Sequence, residues 1–125
     1  MVKSIITIII ASLLIFVGVM FENYHINRSF SDLNNAFIIL YDKVENQTAT
    51  PDDVYSVQKL WLQKKKSLHT FIPHTEIKEF DMWLSETVTL VRDEEWVDAI
   101  SKVEVLIELS EQIPNSFKFT LANIF

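Results

Sequence analysis

The sequence predicts an all-α protein: an N-terminal transmembrane helix followed by an up-down antiparallel bundle of about four helices. Three observations predict it. One 17-residue apolar run, Ile5 to Phe21, opens the chain; beyond it, apolar residues recur in steps of four and three; and the 125 residues include a single glycine, Gly18, inside the apolar run. Tight hairpin turns draw on glycine for positive φ, so β-hairpins are hard to build here, whereas helices joined by Asn, Asp and Pro are not.

Composition narrows the class further. Hydrophobic residues make up 49% and charged residues 22%, as expected of a very apolar segment joined to an ordinary soluble domain. The length suits one domain beyond that segment. No cysteine is present, which excludes disulfides, thiolate metal sites, Fe–S clusters and cysteine nucleophiles. The net charge of −6 argues against nucleic acid, whose phosphates call for clustered Lys and Arg.

Only Thr7, Ser12 and Gly18 interrupt the apolar run. Extended to Ser4 and Glu22 it approaches the ~20 residues that span a hydrocarbon core of ~30 Å. Isoleucine is a modest helix former in water, but in lipid every backbone group must bond internally, so helix is expected. Lys3 precedes the run and Glu22 follows it. The positive-inside tendency then places the N-terminus in the cytoplasm. Residues 1–21 read as a single-pass anchor in the cell membrane, meeting lipid through residues 5–21, and residues 22–125 as an extracytoplasmic domain. A cleaved signal peptide is the rival reading. Its apolar core is usually shorter and ends at small residues, whereas this run ends Val17-Gly18-Val19-Met20-Phe21, so an uncleaved anchor is expected.

Ile26, Phe30, Leu33, Phe37, Leu40 and Val44 form one stripe, and no Pro or Gly separates it from the anchor. A single helix is therefore expected from about Ser4 to about Asn46. Thr50-Pro51-Asp52-Asp53 is a strong start signal: a capping hydroxyl, a proline suited to the first helical position, and acids at the positive end of the dipole. The second helix is expected to reach about His69 with Val54, Val57, Trp61 and Leu68 inward, and Pro73 breaks the pattern. A third helix is expected from a Thr75 cap, facing inward with Ile77, Phe80, Leu84, Val88 and Val91. A fourth is expected from an Asp93 cap, with Trp96, Ala99, Ile100, Val103, Leu106, Ile107 and Ile113 inward and Pro114 as its end. The apolar tail 117–125 reads as a short helix or an extended segment docked on the bundle.

Short connections imply antiparallel neighbours. Lys64, Lys65 and Lys66, the Phe71-Ile72-Pro73-His74 turn and the tail then return towards the lipid. The lysines can meet anionic headgroups, at ~1 kcal/mol per charge near the surface, though charge runs are more often solvated helix faces. His69, His74 and Glu76 flank the turn without a tight ligand spacing, so no metal is expected. Glu22-Asn23-Tyr24-His25 is one Glu-x-x-His, where di-iron bundles need two and further glutamates. The acids sit at helix starts rather than inside apolar stripes, and neither a phosphate loop nor a nucleophile elbow occurs. No catalytic residue and no cofactor is therefore expected. Asn27-Arg28-Ser29 and Asn46-Gln47-Thr48 match the glycosylation pattern at chance frequency. Trp61, Trp83 and Trp96 read as core, or as the lining of a groove.

Phe71-Ile72-Pro73-His74-Thr75-Glu76-Ile77, then Phe80-Asp81-Met82-Trp83-Leu84, the Ile113-Pro114 break and the closing Leu121-Ala122-Asn123-Ile124-Phe125 resemble the small bacterial proteins catalogued as domain of unknown function 4363, from Gram-positive endospore formers. The resemblance covers essentially the whole chain. The family has no assigned activity, so the resemblance carries over no catalytic residues; it implies a membrane partner, because members are thought to be encoded near polytopic membrane proteins. The expected role is a non-enzymatic interaction module that binds a membrane protein or an envelope component. Its candidate contacts are Lys64, Lys65, Lys66, Phe71, Ile72, Pro73, His74, Phe117, Phe119 and Phe125. A ligand-binding or sensing domain with a pocket between helices is the alternative; the first stripe could also pair with a second copy, but in a bundle that same stripe is needed for the core.

Overall fold

A computed structural model describes the backbone of residues 1–124 and the side chains of residues 1–115. Four helices follow one another: α1 (Val2–Glu45), α2 (Pro51–Leu68), α3 (His74–Arg92) and α4 (Trp96–Ile124). Each packs against its neighbours in a ring, α1 on α2, α2 on α3, α3 on α4, and α4 most extensively on α1. Cross-links between side chains give the directions. Lys43 meets Asp53 and His25 meets Ser67, so α2 runs back down α1. Tyr41 meets Glu104 and Asn34 meets Ser110, so α4 does the same. Antiparallel up-down packing is the result.

The apolar segment and the first bundle helix are one continuous α1 of 44 residues. Hydropathy divides it. The segment Ile5–Val17 is exposed throughout, whereas Ile26, Phe30, Leu33, Phe37, Leu40 and Val44 are at most 2% exposed. The segment is long and apolar enough to cross a membrane. The end of the bundle from which it emerges is termed the stalk end.

The core is built from the expected stripes. Val54, Val57, Trp61 and Leu68 of α2 and Ile77, Phe80, Leu84, Val88 and Val91 of α3 are all buried, with Ala99, Val103, Leu106 and Ile113 of α4; Trp96, Ile100 and Ile107 are half-buried around them. Its centre is aromatic. Trp61 stacks on Phe80 with centroids 4.1 Å apart, and Phe37 and Phe30 approach Phe80 at 5.6 and 6.4 Å. Such pairs add to the burial of their area.

Thr50 caps α2 as expected. Its hydroxyl accepts from the Asp53 amide at 3.2 Å, and Asp53 Oδ2 accepts from the Thr50 amide at 2.9 Å, a complete capping box. Three expected boundaries are corrected. Thr75 does not cap α3: the helix begins at His74, with Pro73 in the cap position and no side-chain cap. Proline's fixed φ is already right for helix entry and its missing donor costs nothing there.

Asp93 does not cap α4 but closes α3, and α4 starts at Trp96. The cause is a Schellman ending. Glu94 takes φ 58°, its amide bonds Val91 O and the Glu95 amide bonds Leu90 O. The end of α1 repeats it. Gln47 takes φ 57°, its amide bonds Val44 O and the Thr48 amide bonds Lys43 O.

Pro114 does not end α4, which continues to Ile124. Proline lacks the N–H that would bond the carbonyl of Ser110, which favours a stop. Packing overrides it: Ile113 and Pro114 are both buried, and Phe117, Leu121 and Ile124 continue the steps of Ala99, Val103, Leu106, Ser110 and Ile113 in threes and fours. Residues 117–124 are therefore part of α4, not a separate segment.

Candidate functional site

The interior offers little chemistry. The buried polar side chains among the described residues are Ser29, Thr87 and Ser110. Thr87 Oγ1 donates to Trp83 O at 2.8 Å and Ser110 Oγ to Ile107 O at 2.7 Å, so both hydroxyls are committed to their own helices. Asn34 ties α1 to α4 through Ser110 Oγ at 2.9 Å. No group of three or more acidic or histidine side chains able to hold a metal occurs among the described residues.

The lysine triplet splits. Lys64 Nζ pairs with Asp32 of α1 at 2.9 Å, Lys65 Nζ with Asp81 of α3 at 2.7 Å, and Lys66 is exposed. Helical geometry causes this, since consecutive residues point 100° apart. Asp81 also holds the core, because its other oxygen accepts the Trp61 indole N–H at 2.6 Å. One carboxylate thus locks the core tryptophan of α2 and a surface lysine to α3.

At the 69–73 turn, Ile72 is buried and Phe71 half-buried, closing the stalk end, while Pro73 and His74 are exposed. His69 Nδ1 lies 3.2 Å from Lys65 O, at the last turn of its own helix. Glu76 sits beside this turn, and its carboxyl is held above the usual range by burial and by the neighbouring Glu79. The antiparallel register runs from Tyr41–Glu104 through Asn34–Ser110, which carries residues 117–124 of α4 alongside roughly residues 20–27 of α1. The backbones of Phe117 and Phe119 lie in that stretch; their side chains, and Phe125 altogether, lie outside the described residues.

The tryptophans divide too. Trp61 fills the core instead of lining a groove, while Trp83 and Trp96 are half-buried. Among the described residues the Trp83 indole N–H is buried without a partner, and Lys102 Nζ stands 4.6 Å over its ring. Next to it an open groove of about 540 Å³ runs between α3 and α4, lined by Ser85, Glu86, Thr89, Leu90, Asp98 and Lys102.

A smaller cleft of about 280 Å³ lies between α1 and α2 at the stalk end, lined by Phe21, Tyr24, His25, Arg28, Ser29 and Lys64. Sequence reasoning did not single it out. The signal on α1 was visible, two aromatics and a basic residue spaced three and four residues apart at the end of the apolar run. The approach of Lys64 was not, because it depends on the packing of α2.

No curated protein and no solved structure matches the chain. A family profile matches residues 20–124. The match opens at Met20, so the apolar segment lies almost wholly before it and the matched part is the bundle. The chain therefore belongs to the family described as Domain of unknown function (DUF4363).

Proposed function

We propose that the chain is a membrane-anchored, non-enzymatic module that holds a helical bundle outside the cytoplasm for a membrane-protein partner or an envelope component. The observation that carries this reading is the continuity of α1. One unbroken helix, ~65 Å long at 1.5 Å per residue, is bare and apolar at one end and core-forming at the other. A bundle so attached stays at a set height above the lipid. Confinement of this kind raises its effective concentration towards partners in the same membrane without a new contact.

Lys66, Pro73 and His74 at the stalk end, with the helix 117–124, are the surface offered. Crosslinking in the native membrane followed by mass spectrometry tests the reading. A membrane or envelope protein crosslinked through residues 66–74 or 117–125 is expected; crosslinks to copies of the chain alone, or to soluble cytoplasmic proteins, count against it.

The α3–α4 groove supports a second reading, a small-ligand or sensing domain, because its size lies within the range of ligand sites. A ligand seated there raises the melting temperature with its concentration, and a Lys102→Ala variant loses that rise.

A further inference from the structure

The cleft between Tyr24, Arg28 and Lys64 has no part in the reading above. Phe21, Tyr24, His25, Arg28 and Ser29 share one face of α1, and Lys64 of α2 closes the cleft against them. We infer that this cleft binds the phosphate of an anionic phospholipid headgroup, with the Arg28 guanidinium and Lys64 ammonium as its cations and the Tyr24 and Ser29 hydroxyls as further donors. The inference rests on the apolar segment being a membrane anchor.

Depth is the first argument. Taking Phe21 as the edge of the hydrocarbon, Tyr24 and Arg28 lie ~4.5 and ~10 Å above it along the helix. The polar interfacial layer on each side is ~5–8 Å deep. Direction closes the remaining distance: side chains on a helix lean towards its N-terminus, which on α1 is the lipid side, and an arginine spans several ångströms. Phe21 and Tyr24, 69% and 61% exposed, are residue types that settle at this boundary.

Charge is the second. Among the described residues Arg28 and Lys64 bring +2 and Asp32, paired to Lys64 at 2.9 Å, brings −1, leaving +1 opposite one phosphodiester. Glu22, three residues before His25, does not line the cleft. Availability is the third. Among the described residues Arg28 donates only to Tyr24 Oη, at 3.3 Å, so most of its five donors remain for an anion, in the fork geometry that phosphate accepts.

The test uses the full chain in lipid nanodiscs of phosphatidylcholine with a minority of phosphatidylglycerol, counting retained lipids by native mass spectrometry. The wild type is expected to retain one phosphatidylglycerol in preference to phosphatidylcholine. Arg28→Gln is expected to lower that preference about fivefold, the equivalent of ~1 kcal/mol for one interfacial cation. Arg28→Lys keeps most of it, and Lys59→Gln, an exposed cation of α2 outside the cleft, leaves it unchanged. Circular dichroism confirms that each variant is folded. Equal retention of the two lipids by the wild type overturns the inference, as does an unchanged preference in folded Arg28→Gln. Glycerol 3-phosphate binding to the chain in pure phosphatidylcholine discs, lost in Arg28→Gln, assigns the cleft to a soluble phosphate and overturns the lipid. Carbonate extraction separates the two levels: release of the chain from membranes overturns the anchor and this inference together, while a retained chain without lipid preference overturns this inference alone.

Discussion

Replacing Gln47 with glycine is expected to stabilise the protein, although it removes every side-chain atom. Gln47 sits at φ 57° in the Schellman ending of α1, and Glu94 at φ 58° in that of α3. A left-handed conformation costs an L-residue ~1–2 kcal/mol, because Cβ crowds the following carbonyl. Glycine avoids that cost but gains more freedom in the unfolded chain, a loss of ~0.5–1 kcal/mol. The net gain is ~0.5–1 kcal/mol at each site. Gln47 is exposed, so little contact is forfeited. The two sites lie in separate loops and should add, giving ~1–2 kcal/mol for Gln47→Gly with Glu94→Gly, and ~4–8 °C of melting temperature for each kcal/mol in a domain of this size.

The assay is a thermal melt of the full chain in detergent, followed by the near-ultraviolet dichroism of its three tryptophans. These report packing of the bundle without the apolar segment. Gln47→Ala is the decisive control, since it deletes the same polar group but keeps Cβ, and no gain is expected from it. Equal melting temperatures for the glycine and alanine variants, or a lower one for glycine, would refute the reasoning.

Three further perturbations follow from named contacts. Phe80→Ala removes a fully buried ring stacked on Trp61 and packed on Phe30 and Phe37; a loss of ~3–5 kcal/mol in urea melts is expected, and a loss no larger than that of a surface substitution would place the core elsewhere. Asp81→Ala leaves the Trp61 indole N–H without its 2.6 Å acceptor, at ~1–3 kcal/mol, and more than Lys65→Ala, which breaks only the partly exposed pair; equal losses from the two variants would sink that ranking. Asp53 has its carboxyl held below the usual range, first by the hydrogen bond from Lys43 and then by the Thr50 amide. A depressed carboxyl contributes stability above its unfolded pKa and loses it as pH falls through the folded one. The wild type should therefore lose stability relative to Asp53→Asn below about pH 4, and parallel acid limbs for the two proteins would count against the pair.

Periodicity made the core legible. Every residue of the α1 stripe is buried, as are the α2 and α3 stripes, because a helix packed on its neighbours buries one face and the apolar residues mark it. The Thr50-Pro51-Asp52-Asp53 start was legible for a similar reason: the cap chemistry is local. The errors lie where local signals compete. Asp93 has the side chain of an N-cap yet sits at the C-terminus of α3, against the dipole, and Glu94, which carries the turn, has no side-chain signature for positive φ. Pro114 is a stop signal alone, but the apolar steps on both sides of it were the stronger evidence for a continuous helix. The stalk-end cleft was half legible, since Phe21, Tyr24 and Arg28 can be read from α1, whereas Lys64 joins them only through the pairing of α1 with α2. The lysine triplet looked like one charged unit because adjacency in sequence is not adjacency on a helix.

The absence of cysteine allows a direct test of the anchored, outward-facing bundle. Ser101 is exposed on α4, so a Ser101→Cys chain carries one reactive thiol on the bundle. Intact cells treated with a membrane-impermeant maleimide should yield a labelled protein of full-length mass in the membrane fraction. A thiol that reacts only after lysis, or a labelled chain shortened by about its first 20 residues, would contradict the account.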